Sequence, residues 1–137
     1  MAFTSLLYVS VSTLTPEQER EEVDKIVGVA QRRNAELSVT GALIFTGTHF
    51  AQLLEGPVDG VDALMRSISR DPRHNSVTVV DTGEATRRLF PDWSMAYFGH
   101  SRYIDRFVGP LFASSEDRPR TSIDRLIGLM QEFTLSN

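Results

Sequence analysis

Residues 5–11 (Ser-Leu-Leu-Tyr-Val-Ser-Val) form a short apolar run rich in strand formers, which predicts a buried β-strand. Thr15-Pro16-Glu17-Gln18 then carries helix-start signals: a capping hydroxyl, a proline at the first helical position and a capping-box glutamine. Val23, Ile26, Val27 and Ala30 recur at helical spacing. Acidic residues crowd the first turns and Arg32 and Arg33 close the last, so a helix is expected over 16–33. Residues 39–45 and 49–55 read as two strands, joined by Thr46-Gly47-Thr48 into an antiparallel hairpin. Beyond Gly56-Pro57, the spacing of Val61, Leu64, Met65 and Ile68 marks a second amphipathic helix, ended by Pro72. Residues 77–81 and 93–98 supply a fourth and a fifth strand.

The order is strand, helix, strand, strand, helix, strand, then one more strand. It predicts an α+β chain of ferredoxin-like βαββαβ type with an added fifth strand, a mixed sheet with two helices on one face. The opposite face needs a cover. C-terminal helices are the candidate, because Ile123, Leu126, Ile127, Met130 and Phe133 share one helical face after a polar connector at 114–120. Thr121-Ser122 offers that helix a cap. A folded domain over 1–99 and a helical extension over 100–137 are expected.

Composition narrows the chemistry. Fourteen Lys+Arg against 18 Asp+Glu give a net charge of −4, which argues against nonspecific nucleic-acid binding. With no cysteine there is no disulfide, thiolate nucleophile or Cys-based metal centre. No apolar run approaches the roughly 20 residues of a membrane span, and the N-terminus lacks a basic signal-peptide region. A cytoplasmic protein without nucleic-acid or membrane partners is expected. His49, His74 and His100 are scattered and form no ligand motif, so no metal is expected. Neither a phosphate-binding glycine loop nor a nucleophilic triad stands out, and the expectation is that the chain is not an enzyme.

What remains is a set of polar side chains at apolar places. Tyr8 lies within the first strand, Asn34 at the end of the first helix, and Gln52 among apolar neighbours in Phe50-Ala51-Gln52-Leu53-Leu54. Strand alternation puts Phe50, Gln52 and Leu54 on one face. A buried amide left unpaired costs about 1–3 kcal/mol, so Gln52 needs partners. Each residue also has a plain structural role open to it: Tyr8 as core, Asn34 as a left-handed helix cap, Gln52 beneath the C-terminal helix. Trp93 and Met95, two apart on the last strand, read as core or as cofactor contacts. Arg73 and His74, after Asp71-Pro72, read as a solvated loop or as cations for an anion.

Taken together these stretches closely resemble the BLUF family of flavin-using blue-light sensors. The matching segments are the Leu-Leu-Tyr8 strand, Arg33-Asn34 followed by Val39-Thr40-Gly41-Ala42-Leu43, and Phe50-Ala51-Gln52-Leu53-Leu54-Glu55-Gly56. Asp71-Pro72-Arg73-His74 and Arg87-Arg88-Leu89-Phe90-Pro91-Asp92-Trp93-Ser94-Met95 follow in the family's order. The resemblance covers about residues 5–98 and implies the same ferredoxin-like fold. It implies that a flavin ring, as FAD or alternatively FMN or riboflavin, lies between the two helices. Tyr8 would be its light-driven electron and proton donor, with Gln52 bridging Tyr8 and the ring. Asn34 would pair with the ring's carbonyl and N–H edge, and Arg33 would lie beside it. Ile26, Phe50, Leu54 and Ile68 would be apolar walls. Asp71, Arg73 and His74 would face the ribityl chain and phosphate, and Trp93 and Met95 would relay the change.

Four positions depart from the family pattern. Arg33 stands where Asn or His is frequent, Ala51 replaces an aromatic residue, Ala30 a serine, and Ser67 a longer polar residue. The losses at Ala51 and Ala30 would retune dark recovery and leave the photocycle in place, whereas Arg33 would either reach the ring or face solvent. The resemblance is to the short, stand-alone members, which implies output through a separate protein partner or a change of assembly, most simply a homodimer or higher homo-oligomer. The alternative readings are a light-insensitive flavin-binding protein and a small flavin-dependent enzyme.

Overall fold

The computed structural model describes residues 3–135. The elements run β1 (Phe3–Ser12), α1 (Glu19–Glu36), β2 (Thr40–Phe45), β3 (His49–Gly56), α2 (Val58–Arg70), β4 (His74–Ala85), β5 (Trp93–Phe98), α3 (Arg102–Val108), a 3-10 turn (Gly109–Phe112) and α4 (Arg120–Leu135). The five strands form one sheet in the order β4-β1-β3-β2-β5. Neighbours are antiparallel except β2 and β5, which run parallel. This is the expected ferredoxin-like arrangement, with the extra strand at the edge beside β2.

Boundaries differ from the sequence expectation for local reasons. Gln18 does reach back to the Thr15 N–H at 3.0 Å, but this closes a separate turn in which Gln18 N–H donates to the Thr15 carbonyl. The helix therefore begins at Glu19 and continues past Arg33 to Glu36. Thr121 and Ser122 lie inside α4 and do not cap it, because the Pro119 carbonyl already accepts from Ser122 and Ile123. β4 is 12 residues long, more than twice the predicted run. It pairs with β1 from Phe3↔Ala85 to Ser12↔His74, and its polar Thr82 and Glu84 stay exposed at the sheet edge.

The sheet has an apolar core on each face. On one side Leu7, Val9, Ala42, Ile44, Ala51 and Leu53 meet Ile104, Val108, Leu111, Ile123, Leu126 and Met130. The C-terminal helices thus provide the predicted cover. Full burial of a residue such as Leu126 or Met130 stabilises by about 1.5–3 kcal/mol, so α4 is anchored. On the other side Leu43, Phe45, Phe50 and Leu54 meet Val23 from α1 and Val61 and Leu64 from α2. Among the described residues, no helix is long and apolar enough to cross a membrane.

Candidate functional site: a cleft between two helices and the sheet

Tyr8 on β1 and Gln52 on β3 are direct partners in the antiparallel register, and Leu43 on β2 is the next partner across from Gln52. Side chains in such a row leave the same face of the sheet, here the face under α1 and α2. Gln52 Nε2 donates to Tyr8 Oη at 2.7 Å, and Trp93 Nε1 donates to Gln52 Oε1 at 2.8 Å. An indole nitrogen can only donate, so the atom facing it must be the amide oxygen, which turns the NH2 toward Tyr8.

Trp93 belongs to β5, two strands and roughly 9–10 Å from β3. The residue opposite it on the intervening β2 is Gly41, which presents no side chain to block the indole. Gly41 is fixed as glycine by its backbone: φ is +152°, and a Cβ there would fall 1.8 Å from the Leu53 carbonyl oxygen.

Tyr8 and Gln52 line one wall of a cleft of about 710 Å³, open mouth included, and Trp93 stands behind Gln52 in the apolar cluster. Ile26, Val29, Ala30, Arg33 and Asn34 face it from α1, and Leu64, Ser67 and Ile68 from α2. Leu43 and Phe50 add apolar floor, and Asp71, Arg73 and His74 stand at one end. The wall therefore takes in every cofactor contact that the sequence resemblance named except Leu54. Leu54 is fully buried in the apolar cluster that includes Trp93 and does not reach the cleft. Met95 packs against the same cluster. Val29, Leu43 and Leu64 were not anticipated as wall residues. Leu43 was findable, since the hairpin register sets it opposite Gln52; Val29, half exposed at the mouth, gave no burial signal.

Tyr8 is 3% exposed. Burial pushes its phenol well above the ordinary value, the hydrogen bond from Gln52 pulls back, and the Asp71 charge adds to the rise. The hydroxyl therefore keeps its proton at neutral pH. Asn34 is 1% exposed, and neither its Nδ2 nor its Oδ1 has a partner among the described residues. It is not a cap: α1 runs on to Glu36, and Ser38, at φ 58°, takes the left-handed conformation instead. A buried amide with both ends free is costly, about 1–3 kcal/mol for each unmade bond, unless something in the cleft meets it.

The cations at the far end are already engaged. Arg73 grips the Asp71 carboxylate through Nε at 2.9 Å and Nη2 at 2.7 Å, with Glu22 at 3.7 Å from Nη1. Burial would raise the Asp71 pKa, but the Arg73 bonds outweigh it and hold the carboxyl below its usual value. His74 Nε2 lies 2.6 Å from the Ile68 carbonyl, which only accepts, so this nitrogen donates. In the neutral ring Nδ1 then accepts from Ser10 Oγ at 2.7 Å. With both nitrogens occupied, His74 meets the cleft as a ring, edge-on to Tyr8 and Phe50.

The donor set fits a flavin ring. Asn34 offers a free donor and a free acceptor, matching an imide edge of alternating carbonyl and N–H groups. Gln52 adds a second N–H beyond the one spent on Tyr8, and the walls are apolar.

Comparison with known proteins agrees. The family model described as "Sensors of blue-light using FAD" (BLUF) matches residues 3–96. The chain is 37% identical over 95 residues to the blue light- and temperature-regulated antirepressor BluF of Escherichia coli (strain K12), covering 69% of this chain and 23% of that protein. It is also 37% identical over 90 residues to photoactivated adenylate cyclase subunit beta of Euglena longa, covering 66% of this chain and 10% of the relative. The chain thus spans less than a quarter of the length of either. Among solved structures, the dark state of the BLUF protein BlrB superposes with a TM-score of 0.69 at 32% identity, covering 91% of this chain and 94% of BlrB. Photo-activated BlsA, at 21% identity, shares the fold with a TM-score of 0.75, covering 94% of each chain.

Proposed function

This chain belongs to the BLUF family, the sensors of blue light using FAD, and we propose that it is a reversible photoswitch built on Tyr8, Gln52 and Trp93. The observation that carries the proposal is the double engagement of Gln52, bonded to Tyr8 on one side and Trp93 on the other. Asn34 and Gln52 would hold the flavin ring by its polar edge, between Ile26 and Ile68 and above Phe50. FAD is the form we propose, after the family description, with FMN and riboflavin sharing the ring site. Asp71 and Arg73 would frame the chain beyond the ring.

Bound flavin supplies a blue-light-excited state able to withdraw an electron from a nearby phenol. Tyr8 holds its proton at Oη until then, since burial disfavours the phenolate. Loss of an electron makes that proton strongly acidic. The amide end now facing Tyr8 is itself a donor, so Gln52 would take the proton only as its carbonyl turns toward Oη. Tyr8 would then regain both electron and proton while the amide stays in its new orientation. The amide has one donor end and one acceptor end, so turning it over rewires every bond it makes. In the reversed orientation its NH2 would face the indole N–H, donor against donor. Trp93 must then give way.

Trp93 opens β5, and the same strand carries Tyr97, whose ring lies 5.4 Å from that of Phe133 on α4. A shift of β5 would therefore reach the C-terminal helices. We assign sensing to residues 1–99 and output to 100–137, acting on a separate protein or on a homodimer contact. The dark state returns when the amide turns back, so the signal is a shift of populations without turnover. The test is the absorption spectrum of flavin-loaded protein before and after blue light. A small red shift that decays in darkness is expected, and bound flavin with no such shift would overturn the photoswitch.

A further inference from the structure

Glu55 lies three residues beyond Gln52 on β3 and leaves the opposite face of the sheet. It is 1% exposed, an expensive place for a carboxylate. Its two oxygens accept from the backbone N–H of Leu89, at 2.8 and 3.0 Å, and one of them from that of Phe90, at 3.0 Å. Arg88 fastens the same segment from outside. Its Nη1 donates to the Glu55 carbonyl at 2.7 Å and to Thr40 Oγ1 at 2.8 Å, and its Nη2 donates to the Ser38 carbonyl at 2.8 Å. The Asp92 carbonyl then accepts from Gly41 N–H, and the next residue is Trp93.

The Trp93–Gln52 bond thus joins β5 to β3 across β2. Gln52 is part of β3, and the 88–92 segment that leads into Trp93 is gripped by Glu55 of the same strand, beside the pairing of β5 with β2 at Gly41. A 2.8 Å hydrogen bond tolerates little displacement of either partner. We infer that Glu55 is a positioning residue that holds the Trp93 indole against Gln52 by clamping the backbone of Leu89 and Phe90. Its relevance to signalling rests on the photoswitch reading; the placement itself does not.

The experiment needs neither light nor flavin. Trp93 is the chain's single tryptophan, so intrinsic emission reports on it alone. The flavin-free full chain is compared with Glu55→Gln, which leaves only one side-chain oxygen for the two N–H groups. Arg88→Ala is the second variant, at an exposed residue, and decides the matter should Glu55→Gln not fold. The expected result is emission shifted to longer wavelength and a several-fold rise in acrylamide quenching for Glu55→Gln, with the same direction and a smaller size for Arg88→Ala. Folded variants that lose thermal stability while Trp93 emission and quenching match wild type would overturn the positioning role, leaving Glu55 a structural staple. Failure of the photoswitch reading would show separately, as an absent light-induced shift in the wild-type holoprotein.

Discussion

The indole N–H of Trp93 meets Oε1 of Gln52 at 2.8 Å by passing over an intervening strand at a glycine, Gly41. That bond decides which way the amide points and hence which of its ends faces Tyr8. Replacing Trp93 by Phe removes the donor and keeps most of the ring. The Gln52 oxygen is then left buried without a partner, which costs about 1–3 kcal/mol. Urea unfolding should show a loss of that size, and unchanged stability would mean that the amide finds another donor.

Asn34 makes the opposite case. Its amide has no partner among the described residues, so Asn34→Ala should leave the stability of flavin-free protein unchanged or slightly raised. Flavin affinity should fall by about 1.5–3 kcal/mol, on the order of 10- to 100-fold, if the amide pairs with the ring. Flavin titration by fluorescence measures the affinity. Wild-type affinity in this variant would remove Asn34 from the site.

The Arg73 charge is largely spent on Asp71 and Glu22, and His74 has no free nitrogen. Phosphate should therefore add little to binding. Riboflavin, FMN and FAD are expected to bind within about tenfold of one another, that is within about 1.4 kcal/mol. A much larger preference for the phosphorylated forms would show a cation that becomes free on binding.

Much of this site was legible in the chain before its fold. Tyr8, Asn34 and Gln52 stand out because polar groups at apolar positions demand an explanation, and the hairpin at Gly47 fixes which residues sit opposite each other. The short β4 prediction failed because an edge strand exposes its side chains. Thr82 and Glu84 pair through the backbone and leave no hydrophobic period to read. Leu54 obeys the same alternation as Gln52, but alternation selects a face and not the depth at which a residue lies. The Glu55 clamp joins residues 34 and 35 apart in sequence, a separation at which no local pattern reports contact.

Asp105 ties α3 to the β2–β3 hairpin, accepting from Thr46 and Thr48 at 2.6 Å each and lying 2.8 Å from His49 Nδ1. Burial alone would raise its pKa, but these bonds outweigh it and hold the carboxyl below the ordinary 3.8. The folded state thus binds the proton less readily than the unfolded chain. Asp105 contributes its full stability above the unfolded value and loses it as pH falls through the lower, folded one. Stability should drop with acid below about pH 4, and Asp105→Asn should flatten that slope while lowering stability at neutral pH. An unchanged slope in the variant would place the acid sensitivity elsewhere.

The central claim is that light acts through the Gln52 amide. Its most direct test is the light-minus-dark absorption spectrum of flavin-loaded Gln52→Leu beside wild type and Tyr8→Phe. Leucine keeps the bulk and has no hydrogen bond to rewire, and phenylalanine has no hydroxyl proton to give. Wild type should show a small red shift that decays in darkness, and both variants should bind flavin without it. A full reversible shift in Gln52→Leu would contradict the account.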